Sequence, residues 1–177
     1  MKSAVIVIDV QSGLFDSLPR PFEADEVVQR INKLTEQART ANVPIIFIQS
    51  EHPNFLEYQS ERWQLQSSLI VQKGDLFIRK TKANAFLETN LAQMLETMEV
   101  ENLVICGYST EFCIDSTLRY ASALGYTIDL IADAHTTHDK KHLSAQQIRE
   151  HHNITLSAAP TVSAPLSSEF EIGTKFN

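Results

Sequence analysis

Short apolar runs alternate with longer amphipathic stretches along this chain. The runs are rich in β-branched residues and lack the polar alternation of a half-exposed strand, which is typical of strands buried on both faces. They predict strands over residues 5–8, 45–48, 76–78, 103–106, 127–132 and 161–164. The polar stretch over residues 50–72 shows neither pattern and is long for a loop, which predicts a lid or another functional segment.

Apolar residues between these runs recur three or four positions apart, as on one face of a helix. This spacing predicts helices over residues 23–42, 87–98, 110–124 and 143–156, with Gly125 in the position that ends the third helix. The alternation of strand and helix predicts an α/β fold: a doubly wound three-layer sandwich around a mostly parallel sheet of about six strands. A length of 177 residues fits one domain, so we expect a single domain over residues 1–177.

Composition and charge exclude several classes of function. The chain carries 15 Lys and Arg against 22 Asp and Glu, a net charge of −7, and has no basic cluster of the kind that nucleic-acid binding requires. Its first apolar run is too short for a signal peptide or a membrane span, so we expect a cytoplasmic protein without nucleic-acid or membrane partners. Two cysteines cannot build a disulfide framework, which agrees with a reducing compartment.

Ligands bind beyond the carboxyl ends of the strands in a doubly wound sheet. Asp9 follows the first predicted strand, Lys80 follows the third, and Cys113 lies in the first turn of the helix after the fourth. A helix N-terminus and a nearby ammonium both stabilise a thiolate, and a carboxylate can take the thiol proton and return it to a leaving group. These residues predict a nucleophilic site with Cys113 as nucleophile. The alternative for Cys113 is a packing role, which we expect for Cys106 in its apolar strand.

Three motifs carry a family resemblance. They are VIDVQ at residues 7–11, KTKANAF at residues 80–86, and GYSTEFCIDST at residues 107–117. In this order and spacing they resemble the isochorismatase-like cysteine hydrolases, a family that includes nicotinamidases and N-carbamoylsarcosine amidases, and the resemblance covers residues 4–157. It implies a catalytic triad of Cys113, Asp9 and Lys80. The spacing to Phe86 favours Lys80 over the competing Lys82.

The same resemblance implies a cis peptide bond between Tyr108 and Ser109, and an oxyanion hole formed by the N–H groups of Ser109 and Cys113. It also implies a homo-oligomer. Members that bind a metal use an Asp-x-His pair after the second strand, whereas Ser50 stands at the aspartate position before His52. Zinc needs three or four ligands held together, so we expect no metal and no other cofactor.

Four further residues are candidates for the wall of a substrate pocket: Gln11, His52, Trp63 and Phe86. His52 has the alternative role of a solvated loop residue, and Trp63 that of a hydrophobic plug. The histidines at positions 135, 138 and 142 have a spacing that resembles a metal site, but their polar neighbours predict a solvated loop.

The combined pattern predicts a metal-independent cysteine hydrolase that cleaves an amide or related C–N bond of a small molecule. One alternative is cleavage of a vinyl ether, the reaction of an isochorismatase. Another is Ser109 as nucleophile, because residues 107–111 resemble the serine elbow G-x-S-x-G, with Glu111 in place of the last glycine. A third is a non-catalytic binding protein, although all three triad positions are filled.

Overall fold

The computed structural model describes residues 1–172, so the predicted domain end at residue 177 lies outside the described residues. The strands are β1 (Ser3–Ile8), β2 (Ile45–Ser50), β3 (Leu76–Lys80), β4 (Asn102–Tyr108), β5 (Thr127–Thr136) and β6 (Val162–Ser163). The α-helices are α1 (Ser12–Phe15), α2 (Ala24–Thr40), α3 (Leu91–Thr97), α4 (Asp115–Ala123) and α5 (Ala145–Leu156), and a π-helical turn, Thr110–Ile114, leads into α4. None of the helices in this range has the length and apolar character needed to cross a membrane.

The strands of residues 1–172 form one parallel sheet in the order β3-β2-β1-β4-β5-β6. The chain moves outward from β1 to β3 and returns to place β4 beside β1, so the strand order reverses between β1 and β4. Successive residues of β1 are buried on opposite faces: Ile6 and Ile8 pack in the core layer of α3 and α4, and Val5 and Val7 in that of α2. The doubly wound three-layer α/β sandwich predicted from the sequence is confirmed.

Two element boundaries differ from the predicted ones. Helix α3 begins at Leu91 instead of residue 87, because Glu88 adopts a left-handed conformation (φ 58°) that an α-helix does not accommodate. Strand β5 continues through Thr136, whereas the apolar run predicts an end at residue 132. Its last residues are polar and are tolerated because they have partners; the Asp133 carboxylate, for example, accepts hydrogen bonds from the backbone N–H and the hydroxyl of Ser167.

Gly107 lets β4 approach β1 closely near the carboxyl end of the sheet. It is the register partner of Ile8, and its φ of 116° lies in the region that favours glycine. A Cβ at this position would lie 2.1 Å from the Ile8 carbonyl oxygen. The chain segments that begin at Asp9 and Tyr108 therefore start side by side.

The polar segment between β2 and β3 folds back over the end of β1. The N–H groups of Ser12 and Gly13 each donate to a carbonyl of this segment at 2.8 Å, and its Gln66 N–H donates to the Val10 carbonyl at 2.9 Å. This segment is thus attached to the start of α1 by backbone hydrogen bonds, and it forms one side of the cleft at the strand ends.

Candidate active site

The structure brings Asp9, Lys80 and Cys113 together at the point where the strand order reverses. Asp9 directly follows β1, Lys80 is the last residue of β3, and Cys113 lies in the π-helical turn after β4. The Lys80 ammonium nitrogen lies 2.9 Å from Asp9 Oδ2 and donates to Cys113 Sγ at 3.2 Å. All three side chains are buried, with at most 7% of each residue exposed. Three residues that are far apart in the sequence therefore share one desolvated site.

Lys80, and not Lys82, reaches this site. The Lys82 side chain points to Glu88, with 3.6 Å between Nζ and Oε2, and is half exposed. Only the Lys82 backbone takes part, since its carbonyl accepts a hydrogen bond from Lys80 Nζ at 3.1 Å.

Ser50 is a part of the site that sequence reasoning did not assign. Its hydroxyl donates to Asp9 Oδ2 at 3.0 Å and accepts a hydrogen bond from Lys80 Nζ at 2.7 Å. In the sequence Ser50 stands out only as the residue at the position of a metal-binding aspartate. Its place at the end of β2, the strand between those that lead to Asp9 and Lys80, could have marked Ser50 as a site residue.

The resting form of the nucleophile differs from the predicted one. The pKa of the Cys113 thiol is raised to about 12: burial is the largest cause, the Asp9 carboxylate acts in the same direction, and Lys80 acts in the opposite direction. The expected thiolate is therefore not the favoured form at neutral pH, because desolvation and the Asp9 charge outweigh the Lys80 ammonium. For Lys80, burial alone would lower the pKa, but Asp9 and Cys113 outweigh it and the net pKa is raised, so the ammonium stays charged.

The two oxygens of Asp9 have different surroundings. Oδ2 contacts both Lys80 and Ser50, whereas Oδ1 is buried and has no hydrogen-bond partner among the described residues. One oxygen is thus held in place and the other is available for a proton.

The turn that carries Cys113 is fixed by its backbone. The peptide bond between Tyr108 and Ser109 is cis, at the position where the family resemblance places it. The N–H groups of Phe112 and Ile114 both donate to the Ser109 carbonyl at 3.1 Å. These contacts close the turn around the cysteine.

His135 supports the same turn, so its predicted place in a solvated loop is wrong, whereas residues 139–143, which include His142, are exposed as predicted. His135 is fully buried within β5. Asn153 Nδ2 donates to the Ala132 carbonyl, so Asn153 Oδ1 accepts from His135 Nε2 at 2.8 Å. His135 Nδ1 then accepts a hydrogen bond from the Thr110 hydroxyl at 2.9 Å. Burial lowers the pKa of His135 to about 4, so the imidazole is neutral.

His138 is likewise held by protein partners. Its Nε2 donates to the Pro19 carbonyl at 2.9 Å, which leaves Nδ1 to accept from the Tyr108 hydroxyl, also at 2.9 Å. Burial, together with the charge of Glu111, raises the pKa of the Tyr108 hydroxyl above its ordinary value. Within residues 1–172, no group of three or more His, Cys, Asp or Glu side chains could hold a metal ion.

A cavity of about 470 Å³ opens next to Cys113, a volume that suits a small molecule. Asp9 and Ser50 lie in its wall beside the cysteine. The apolar part of the wall is formed by Leu14, Phe55, Leu56 and Phe112. The remaining wall residues are polar or charged: His52, Tyr108, Ser109, Glu111 and Lys140. The cavity therefore combines a polar reacting end with both apolar and charged contacts.

Only His52 among the four predicted pocket residues lines this cavity. Gln11 is buried instead, because its side-chain amide is bonded to the backbone N–H and carbonyl of Ser50 and to the Trp63 carbonyl. Trp63 lines a separate groove of about 1,300 Å³ beside β3. Phe86 packs in the core, with its ring 5.6 Å from that of Tyr120. Gln11 and Phe86 thus have structural contacts and Trp63 lines a different groove, so these three residues do not line the Cys113 cavity.

Glu111, Lys140, Phe55 and Phe112 line the cavity without having been predicted to do so. Glu111 and Phe112 directly precede Cys113 in the sequence, and this proximity could have marked them as cavity residues. Lys140 comes from the segment after β5, and only the folded chain shows that this segment reaches the site.

The fold and site define a class: a doubly wound α/β protein with a buried cysteine, a carboxylate and an ammonium at the switch point of its sheet. Comparison with protein-family models matches residues 3–160 to the isochorismatase domain. Streptothricin hydrolase of Streptomyces noursei is 30% identical over 138 residues, 77% of this chain and 50% of that protein. Ureidoacrylate amidohydrolase of Agrobacterium fabrum is 27% identical over 171 residues, covering 75% of each chain.

A solved crystal structure of an isochorismatase family protein is also similar, with a TM-score of 0.86, 38% sequence identity, and coverage of 92% of this chain and 96% of that one. The chain belongs to the isochorismatase family, and the matched part is a hydrolase domain. It spans about half the length of the streptothricin hydrolase that it matches.

Proposed function

We propose that this protein is a cysteine hydrolase that cleaves an amide or related C–N bond in a small molecule, without a metal. The observation that carries the proposal is the contact of a single ammonium, Lys80, with both the Cys113 sulfur and the Asp9 carboxylate, two groups whose residues line a small cavity. The amidohydrolase named among the relatives supports cleavage of a C–N bond.

The first half of the proposed reaction forms a thioester. Asp9 Oδ1 takes the thiol proton as Cys113 Sγ attacks the substrate carbonyl carbon, and the Lys80 ammonium stabilises the sulfur charge that develops. The N–H groups of Ser109 and Cys113 are the proposed donors to the oxyanion of the tetrahedral intermediate. Asp9 then gives the proton to the leaving nitrogen, the C–N bond breaks, and the amine departs.

The second half restores the enzyme. Asp9 accepts a proton from a water molecule that attacks the thioester, and the proton passes to sulfur as the acid product leaves. A raised thiol pKa fits this cycle, because Cys113 is a neutral thiol before attack and after release. Ser50 acts as a positioning residue, since its hydroxyl joins the Asp9 and Lys80 side chains.

The geometry favours sulfur over the Ser109 hydroxyl as the nucleophile. Lys80 donates directly to Cys113 Sγ, and the charge of Asp9 acts on the same thiol. A serine nucleophile needs an adjacent base to take its proton, and the base of this site is coupled to the cysteine.

Substitution of the cysteine tests the proposal. We expect Cys113→Ala to lower ammonia release from a responsive primary amide by at least about 1,000-fold, because no other nucleophile takes its place. Cys106→Ala is the matched control: its Sγ lies in the core, 3.7 Å from the Ile6 carbonyl oxygen, and the variant should keep the wild-type rate if it folds. Iodoacetamide at alkaline pH should inactivate the wild-type protein. Hydrolysis that survives both treatments would instead point to Ser109.

A further inference from the structure

Glu111 and Lys140 form an ion pair on the wall of the Cys113 cavity that the proposed reaction does not use. Glu111 Oε1 lies 2.9 Å from Lys140 Nζ and accepts a hydrogen bond from the Thr137 hydroxyl, also at 2.9 Å. Glu111 and Lys140 both line the cavity, and they come from different parts of the chain, the cysteine turn and the segment after β5. Lys140 and Thr137 both contact the same oxygen of the carboxylate.

The second oxygen, Glu111 Oε2, is buried and has no hydrogen-bond partner among the described residues. Burial alone would raise the pKa of this carboxyl group, but the hydrogen bonds from Lys140, from the Glu111 backbone N–H and from Thr137 outweigh it and the pKa is lowered. The group is therefore ionised at neutral pH. Because Oε2 is closed to water, a ligand in the cavity meets the exposed part of the pair, which is 25% of the Glu111 side chain and 38% of the Lys140 side chain.

The charges around the cavity limit what kind of donor fits. A cationic ligand at the Glu111 carboxylate would be repelled by the Lys140 ammonium beside it, and an anionic ligand at Lys140 would be repelled by Glu111. Asp9 and Lys80 form a second balanced pair at the reacting end. Two neutralised pairs favour a neutral ligand over a charged one.

We propose that the Glu111–Lys140 pair binds the far end of the substrate, and that the substrates are small neutral amides with a second group, such as a carboxamide, that offers an N–H to Glu111 and a carbonyl oxygen to Lys140 away from the scissile bond. The inference rests on the proposed hydrolase function, because it places the scissile carbonyl at Cys113. The apolar part of the wall, with Phe55, Leu56 and Phe112, contacts the carbon chain between the two polar groups.

Four primary amides of similar length distinguish the chemistry of the far end. Succinamide carries a neutral carboxamide there, β-alaninamide an ammonium, succinamate a carboxylate, and isocaproamide an apolar group of carboxamide shape. We expect the wild-type kcat/KM for ammonia release to be roughly tenfold or more higher for succinamide than for the other three.

Two variants test the assignment to Glu111. Glu111→Gln presents an NH₂ in place of an acceptor oxygen, so it should reduce the preference for succinamide over isocaproamide to less than about threefold. Lys140→Gln leaves the Glu111 charge unbalanced and should shift the preference toward β-alaninamide. Glu99→Gln is the matched control, because it makes the same chemical change in the exposed ion pair with Lys2 and should keep the succinamide preference.

Binding separates this inference from the proposed function. Succinamide and isocaproamide are titrated calorimetrically into Cys113→Ala, with and without Glu111→Gln. Succinamide that binds more tightly through Glu111 but is not hydrolysed by the wild-type protein would overturn the hydrolase proposal. The same result would support the proposed contact between Glu111 and the ligand. Turnover with no preference that depends on Glu111 would overturn this proposed contact alone. Equal losses for all four amides in Glu111→Gln would make Glu111 a structural residue, which also overturns it.

Discussion

At the scale of single residues, the two oxygens of Asp9 have different roles in the proposed reaction. Lys80 and Ser50 contact Oδ2 and hold the carboxylate, while Oδ1 has no hydrogen-bond partner among the described residues. In the proposed reaction a base must take the thiol proton during attack, because the pKa of Cys113 is raised to about 12. The proposal therefore replaces a preformed thiolate with a fixed carboxylate beside a neutral thiol.

Asp9→Asn should separate the effect of the carboxylate on the thiol from its effect on turnover. We expect kcat to fall by about 100-fold or more, because the proton acceptor is lost. The pKa of Cys113 should fall as well, since Asp9 raises it and Lys80, which lowers it, remains. The measurement is the pH dependence of alkylation by iodoacetamide in a Cys106→Ala background.

Asp25→Asn, which changes an exposed carboxylate paired with Arg20, is the control and should leave the alkylation profile unchanged. An Asp9→Asn profile identical to that of the parent protein would contradict the coupling of Asp9 to Cys113.

At the scale of elements, the close pairing of β1 and β4 determines where the cysteine turn begins. β4 lies against β1 at Gly107, and the π-helical turn begins three residues later, at Thr110. The turn is tied to β5 through the Thr110 hydroxyl and His135, and to its own start through the Ser109 carbonyl. The position of Cys113 thus depends on three elements and not on the turn alone.

Gly107→Ala should disrupt this arrangement. Its Cβ would collide with the Ile8 carbonyl, and alanine at φ 116° is strained, so we expect the free energy of unfolding to fall by at least about 3 kcal/mol. Urea denaturation measures the change.

Gly125→Ala is the matched variant, since its φ of 95° is also positive but no atom lies within 4 Å of the added Cβ. It should cost only about 1–2 kcal/mol. Equal losses in the two variants would show that backbone strain, and not the contact with β1, makes Gly107 necessary.

At the scale of the whole molecule, the site is assembled from the carboxyl ends of several strands, which a parallel sheet places along one edge. β1, β2 and β3 supply Asp9, Ser50 and Lys80, and the segments after β4 and β5 supply Cys113 and Lys140. Activity should therefore be lost together with the global fold. Self-association and a cytoplasmic location, both expected from the sequence, stay predictions.

Burial of His135 predicts that the fold loses stability in acid. In the unfolded chain a histidine has a pKa of about 6.5, whereas burial lowers the pKa of His135 to about 4. The unfolded state therefore binds more protons between these values, and stability should fall as the pH drops from about 6.5 to 4, by on the order of 3 kcal/mol. Urea denaturation across this range measures the loss.

His135→Gln should show a smaller loss over the same pH range, although its stability at neutral pH is expected to be lower. His151→Gln, at an exposed position on α5, should keep the wild-type slope. A wild-type slope in the His135→Gln variant would assign the acid sensitivity to other groups.

The sequence by itself determined the sheet and the residues at its strand ends. Strands buried on both faces are continuous apolar runs, so their number and order along the chain were readable, and Asp9, Lys80 and Cys113 were candidates from their positions after those runs. The family motifs then favoured Cys113 as nucleophile and Lys80 over Lys82. The boundaries of β5 and α3 were less predictable. Polar residues with buried partners continue β5, and the left-handed Glu88 delays α3.

Only the tertiary structure decided how those residues are surrounded. It placed the Ser50 hydroxyl between Asp9 and Lys80, buried Gln11 and Phe86 away from the cavity, and raised the pKa of the Cys113 thiol. The physical reason is that desolvation and short-range charge contacts depend on segments distant in the chain. A local pattern fixes which side chains reach the edge of the sheet, whereas packing fixes their neighbours and their charge.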